Sequence, residues 1–295
     1  MLQKINISNT TVSILRTDMM HPEIQGNKYY KLKYNLEAAK LQEKDTLLTF
    51  GGAFSNHIYA TAASGKKYGF KTIGIIRGEQ PDSYLYTLQS AKEMGMQLHF
   101  IARDVFRYLR NENFDNSSDF LSTLNINWDK TYIIPEGGTN PLAVKGSAEI
   151  LSELNADFDI VCVPVGTGGT IAGIINSLEG KKKVMGFSSL KGGFLSKDVV
   201  RLLDKDYQNW SINTDYHFGG YGKWNNQLID FINDFQQSKN IPLCPIYTGK
   251  MMYGIADLLK KEYFPNETKI LAIHTGGLQG IKGFNQLNTG KAEII

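Results

Sequence analysis

Four glycine-rich turns, each standing just after a short apolar run, constrain this chain more than any other feature. They are Gly51-Gly52-Ala53-Phe54-Ser55-Asn56, Glu136-Gly137-Gly138-Thr139-Asn140, Gly166-Thr167-Gly168-Gly169-Thr170 and Thr275-Gly276-Gly277. The runs before them (47–50, 133–134, 160–163 and 270–273), together with 72–76 and 184–187, are too short for helices and suit strands. Strands that are apolar throughout are buried on both faces, as in parallel sheets covered by helices. Helical spacing fills the intervals, as in Tyr30, Tyr34, Leu36, Ala39 and Leu41, or Ile58, Ala62 and Ala63 toward Tyr68. The fold class expected is α/β, with mostly parallel, helix-covered sheets. One such turn is equally well explained by a backbone that needs positive φ. Four at strand ends predict one shared ligand cleft, because parallel sheets bind beyond the carboxyl ends of their strands.

Composition removes several classes of function. The 32 Lys and Arg against 29 Asp and Glu leave a net charge of +3, too small for the concentrated field that nucleic acid or an anionic membrane needs. No apolar run approaches the ~18 residues of a membrane span, and the first residues lack a basic stretch followed by an apolar one. Cys162 and Cys244 lie far apart in apolar stretches, which suits a reducing, cytoplasmic setting and provides neither a disulfide framework nor a metal site. A chain of 295 residues is long enough for about two domains. The segment 103–130 is the least regular, with turn-rich Asn111-Glu112-Asn113 and Asp115-Asn116-Ser117-Ser118, and reads as helix, loop and surface.

Gly166-Thr167-Gly168-Gly169-Thr170 follows a strand and opens a helix at Ile171, so its bare amides and two threonine hydroxyls form a phosphate cup. No lysine follows, as a nucleotide P-loop requires, and Ile171 stands where a dinucleotide fingerprint has glycine. A small phosphorylated cofactor remains. Near the amino terminus, Gly26-Asn27-Lys28 precedes a helical stretch, and a phosphate cup combined with such a lysine is what a pyridoxal phosphate enzyme requires.

The chain resembles the 1-aminocyclopropane-1-carboxylate deaminase / D-cysteine desulfhydrase family, of the tryptophan-synthase-β-like fold. The resemblance rests on Gly26-Asn27-Lys28 with Lys31-Leu32, Gly51-Gly52 with Ser55-Asn56-His57, Ile134-Pro135-Glu136-Gly137-Gly138, the cup at 166–170, Tyr247-Thr248-Gly249-Lys250 and His274-Thr275-Gly276-Gly277. It implies two domains with pyridoxal 5'-phosphate between them, a large one from 1–42 and 141–295 and a small inserted one at 43–140. By motif, Lys28 is the Schiff-base lysine and the base for the α-proton, and Asn56 bonds the cofactor's phenolic oxygen. Ser55 touches the substrate; Tyr247 and Tyr221 are active-site tyrosines; Gly166, Thr167, Gly168, Gly169 and Thr170 hold the phosphate. His57 is set aside, since on a helix beside the site it points away as readily as in.

Threonine at both Thr248 and Thr275 matches the desulfhydrase pattern, where deaminases carry Glu and Leu. A carboxylate beside the pyridine nitrogen keeps the ring a strong electron sink, and opening a cyclopropane needs that more than expelling a thiolate does. The implied reaction is α,β-elimination of D-cysteine to pyruvate, ammonia and hydrogen sulfide. The alternatives are 1-aminocyclopropane-1-carboxylate deamination, another pyridoxal phosphate reaction on a small D-amino acid, or a binding protein that kept the cup and lost the chemistry. A homodimer with a small amino-acid substrate is the expected partnership. Tyr29-Tyr30, Phe54 and Leu278-Gln279-Gly280 depart from the family's substrate-side residues.

Overall fold

The computed structural model describes residues 1–111, 114, 121 and 123–295. Of the turn-rich stretches expected between 103 and 130, residues 112–113 and 115–118 lie outside these. Along the chain run β1 (Leu2–Ile7), β2 (Thr10–Leu15), α1 (Asn27–Leu41), β3 (Thr46–Gly51), α2 (Asn56–Tyr68), β4 (Lys71–Arg77), α3 (Tyr86–Glu93), β5 (Met96–Ile101) and α4 (Arg103–Asn111). After them come β6 (Thr131–Ile134), α5 (Pro141–Ala148), β7 (Ile160–Val165), α6 (Gly169–Leu178), β8 (Lys183–Ser188) and α7 (Leu195–Val200). The chain closes with β9 (Trp210–Asn213), α8 (Asn226–Lys239), α9 (Thr248–Lys260), β10 (Ile270–Ile273) and α10 (Gln279–Leu287).

Two sheets form. The larger has the order β1-β2-β10-β7-β8-β9 and is parallel except for β1, which pairs with β2 as an antiparallel hairpin, Ile5 opposite Val12. The smaller, β5-β4-β3-β6, is parallel throughout. All residues of β3 and β7 are buried, as expected of strands covered on both faces. The alternation of side chains divides the larger sheet into two cores. Ile160, Cys162, Ile270 and Ala272 pack with α8 and α9 on one face, whereas Val161, Val163, Leu271 and Ile273 pack with α6 and α7 on the other. Both cysteines are buried and free. Among the described residues no helix is long and apolar enough to cross a membrane.

The sequence reading puts residues 1–42 with the larger unit. In the structure α1 touches both units: Leu32, Leu36 and Ala39 share a core with Leu47, Ala60, Ala63 and Ile134 of the smaller sheet's layer, whereas Tyr30 packs on the larger sheet's core and lies against Gly146 of α5. The spacing of Leu32, Leu36 and Ala39 fits one helix face, and the smaller sheet supplies the apolar surface that covers it. The helix that begins at Asn27 therefore joins the two sheets.

Candidate active site

Lys28 is reached through Gly26, whose φ of +60° would strain any side chain, and a Cβ there would overlap the Thr275 carbonyl oxygen. The start of α1 consequently lies on the turn that follows β10. The Asn27 amide donates to Thr275 O at 3.4 Å, and Asn27 Nδ2 donates to Thr170 Oγ1 at 2.8 Å, so the lysine's neighbours are tied to two glycine turns at once. Burial lowers the Lys28 amine from 10.5 to about 8, against a small opposing effect of Cys244. Roughly a tenth of such an amine is neutral at pH 7, against about one part in 3,000 for an unshifted lysine, so burial supplies a nucleophile.

β7 ends at Val165, and Gly168, with φ +84°, turns the chain into α6. The first amides of α6 have no acceptor within the helix, and its dipole favours an anion there. Lys31 reaches the same cup from one turn beyond Lys28. It is 1% exposed and donates to Gly137 O at 2.6 Å, Thr139 Oγ1 at 2.8 Å and Thr167 Oγ1 at 3.4 Å. Burial, aided by repulsion from Lys28, drives its pKa well down, which marks a cation that lacks a negative partner. His57 is likewise buried, lies against Gly138 and leaves both ring nitrogens unpartnered; burial, then Lys28 and Lys31, keep it neutral. A cup of free amides, two threonines and a buried amine fits a phosphate group, which would supply what these donors lack.

The facing wall comes from the β3–α2 turn. Ser55 caps α2, its Oγ accepting from the Ile58 amide at 3.3 Å. Asn56 Oδ1 accepts from Gln279 Nε2 at 2.8 Å, and its Nδ2 presses on Gly277, where φ of +87° and the absence of Cβ permit the approach. Lys28, Ser55, Asn56, Gly166, Thr167, Gly168, Thr170, Tyr247 and Thr275 all line one cleft, with Lys31 and His57 among them. Gly169 stands behind it as the first residue of α6. Tyr221 lies one layer out, its ring edge-on to Tyr247 at 6.3 Å between centroids, and lines an adjoining cavity. Burial raises Tyr221 to about 12 and holds Tyr247 well above its ordinary value, so both hydroxyls keep their protons at neutral pH.

Thr248 does not line this cleft: it is fully buried, and its hydroxyl accepts the Cys244 amide at 2.8 Å. As the first residue of α9, its side chain turns back to bond the preceding bend. Sequence reasoning assigned no role to Lys31 and set His57 aside. The three-residue spacing from Lys28 to Lys31, which puts both on one helix face, was the available signal.

Comparison with known proteins agrees with this chemistry. A family model described as pyridoxal-phosphate dependent enzyme matches residues 10–276. A Pyrococcus furiosus protein provisionally named a 1-aminocyclopropane-1-carboxylate deaminase is 32% identical over 289 residues, covering 91% of this chain and 85% of that protein. The bifunctional D-cysteine desulfhydrase/1-aminocyclopropane-1-carboxylate deaminase of Arabidopsis thaliana is 29% identical, with 93% of this chain and 74% of that protein aligned. A D-cysteine desulfhydrase of Klebsiella pneumoniae is 27% identical, with 93% and 89% aligned. The crystal structure of an ACC deaminase homologue superposes with a TM-score of 0.79 at 27% identity, over 97% of this chain and 91% of that one.

Proposed function

The chain belongs to the pyridoxal-phosphate dependent enzymes, and on that premise we propose that it is a D-cysteine desulfhydrase, converting D-cysteine and water to pyruvate, ammonia and hydrogen sulfide. When bound, pyridoxal phosphate supplies an aldehyde for an amine and a ring that withdraws electrons from the substrate's α-carbon. The 166–170 turn and Lys31 would hold its phosphate, and Lys28 its aldehyde carbon. The Lys28 amine is also a base of suitable pKa for the substrate's α-proton. Ser55, at the N-terminus of α2, and the free amides beside it suit the substrate carboxylate. Tyr247 and Tyr221 are protonated and therefore serve as donors, to the leaving sulfur or the migrating amine, and not as bases.

One observation carries this reading over a deaminase: among the described residues no carboxylate lines the cleft, and the residue that the last glycine motif presents there is Thr275. A hydroxyl leaves a ring nitrogen neutral where a carboxylate would keep it protonated, and the weaker sink suffices to expel a thiolate. The names of the Pyrococcus relative and the homologous crystal structure favour the second reading, 1-aminocyclopropane-1-carboxylate deamination. Steady-state assays of the loaded enzyme separate them. Sulfide and pyruvate from D-cysteine, with little keto acid from the cyclopropane, are expected; the reverse preference would reject the desulfhydrase assignment.

A further inference from the structure

Outside the cleft, the same β3–α2 turn and Tyr221 border a second cavity of about 610 Å³. Among the described residues its lining includes Arg77, Arg103, Arg107, Arg110 and Lys223 and no carboxylate. Arg103, Arg107 and Arg110 follow a spacing of four and three along α4, which places all of them on one face. Like charges so spaced destabilise a helix, and a cation in the first turn opposes its dipole. Among the described residues no acid forms an ion pair with any of these three. Arg77, at the carboxyl end of β4, stacks its guanidinium 5.4 Å from the Phe106 ring and lies over Gly52, 3.8 Å from Glu136, while Glu79 and Asp104 border the neighbouring hollow that Arg77, Arg103 and Arg107 also line. Tyr221 feels the Arg77 charge, so the basic wall begins at the edge of the reacting groups. Neither D-cysteine nor a cyclopropane amino acid carries an anionic carboxylate beyond the α-carboxylate that Ser55 and the start of α2 suit.

We propose that this cavity receives a second anionic group on the substrate, so that the enzyme also binds small amino acids whose side chain ends in an acid. The proposal rests on the reading of the cleft as an amino-acid site, with Arg77 nearest the substrate and the α4 arginines beyond it. Convergent guanidinium groups, of which only Arg77 has an ion-pair partner among the described residues, favour a carboxylate or similar oxyanion through charge-assisted bonds.

Isosteric pairs isolate the charge. The holoenzyme is titrated with D-aspartate and D-asparagine, and with D-glutamate and D-glutamine, reading the change in cofactor absorbance at low and high sodium chloride. Each acid should bind at least about 10-fold more tightly than its amide, with the preference falling as salt rises. In the double variant Arg107→Glu, Arg110→Glu the preference should drop to within about twofold, while D-serine binds as before. Equal binding of acid and amide beside a normal response to D-cysteine would overturn the receptor alone. A variant that weakens D-serine and aspartate alike would overturn it too, as a structural effect. A holoenzyme that responds to no amino acid, D-cysteine included, would overturn both this proposal and the reading beneath it.

Discussion

Lys28 and Lys31 stand one helical turn apart and differ in what surrounds them. The first ends among glycine turns, where burial depresses its pKa to about 8; the second is wholly enclosed and bonded to Gly137, Thr139 and Thr167. Capture of pyridoxal phosphate by the bare protein should therefore accelerate as pH rises through about 8, as the Lys28 amine loses its proton, and stopped-flow absorbance would show it. A Lys28→Ala chain should show no captured band and no turnover, with an unchanged circular dichroism spectrum. Lys31→Met removes a charge-assisted donor from the phosphate cup and should weaken cofactor binding by about 10- to 100-fold, measured by fluorescence titration. Thr248→Val should cost about 1 kcal/mol through the lost Cys244 bond and leave substrate preference alone, whereas a role beside the cofactor ring would change that preference.

Two arrangements act through whole elements. Lys250, buried in α9, donates to His217 O and Gly220 O at 2.8 Å each and thereby fixes the loop that carries Tyr221. Lys250→Met should lower kcat about 10-fold or more with the cofactor spectrum intact, if Tyr221 must be held against Tyr247. At the other end of the site, Arg16 grips Asp18 through two bonds of 2.9 and 2.8 Å, and His274 approaches the same carboxylate at 3.1 Å, joining the end of β2 to the turn that carries Thr275. Burial alone would raise Asp18, but the bonds from His274 and Arg16 outweigh it and hold the carboxyl at about 2. Since that lies below the ordinary 3.8, its contribution is complete above about pH 4 and drains away as pH falls toward 2, worth about 2 kcal/mol. Urea titrations across that range should show the loss, and Asp18→Asn should abolish its pH dependence while destabilising the protein by about 3–5 kcal/mol. The central strands were legible in the sequence because β3, β7 and β10 are buried on both faces and so read as unbroken apolar runs. The edge strands β1, β5 and β9 mix exposed polar residues into their pattern and carried no comparable signal. In α1 the buried face includes Lys31 and Asn35, polar groups kept for the site, and these interrupt the apolar stripe that would have tied the helix to the smaller sheet.

At the scale of the molecule, two mostly parallel sheets meet along the glycine turns at their strand ends, which is where the cup, the amine and the capped helix α2 converge. The turns themselves were visible from the sequence, because glycine is demanded wherever one turn must pass close to another, whereas Lys31 and His57, which also line the cleft, carried no such mark. The partners those residues choose were not: which threonine faces inward and which satisfies a bend depends on helix starts that only the assembled fold fixes. The central claim, that this cleft performs an elimination on D-cysteine through Lys28 and pyridoxal phosphate, is tested most directly by one absorption experiment on the purified, cofactor-loaded protein. Adding D-cysteine should shift the visible band and release sulfide and pyruvate in equal amounts, with L-cysteine and 1-aminocyclopropane-1-carboxylate far slower. A loaded protein whose band moves with the cyclopropane amino acid and releases no sulfide from D-cysteine would contradict it.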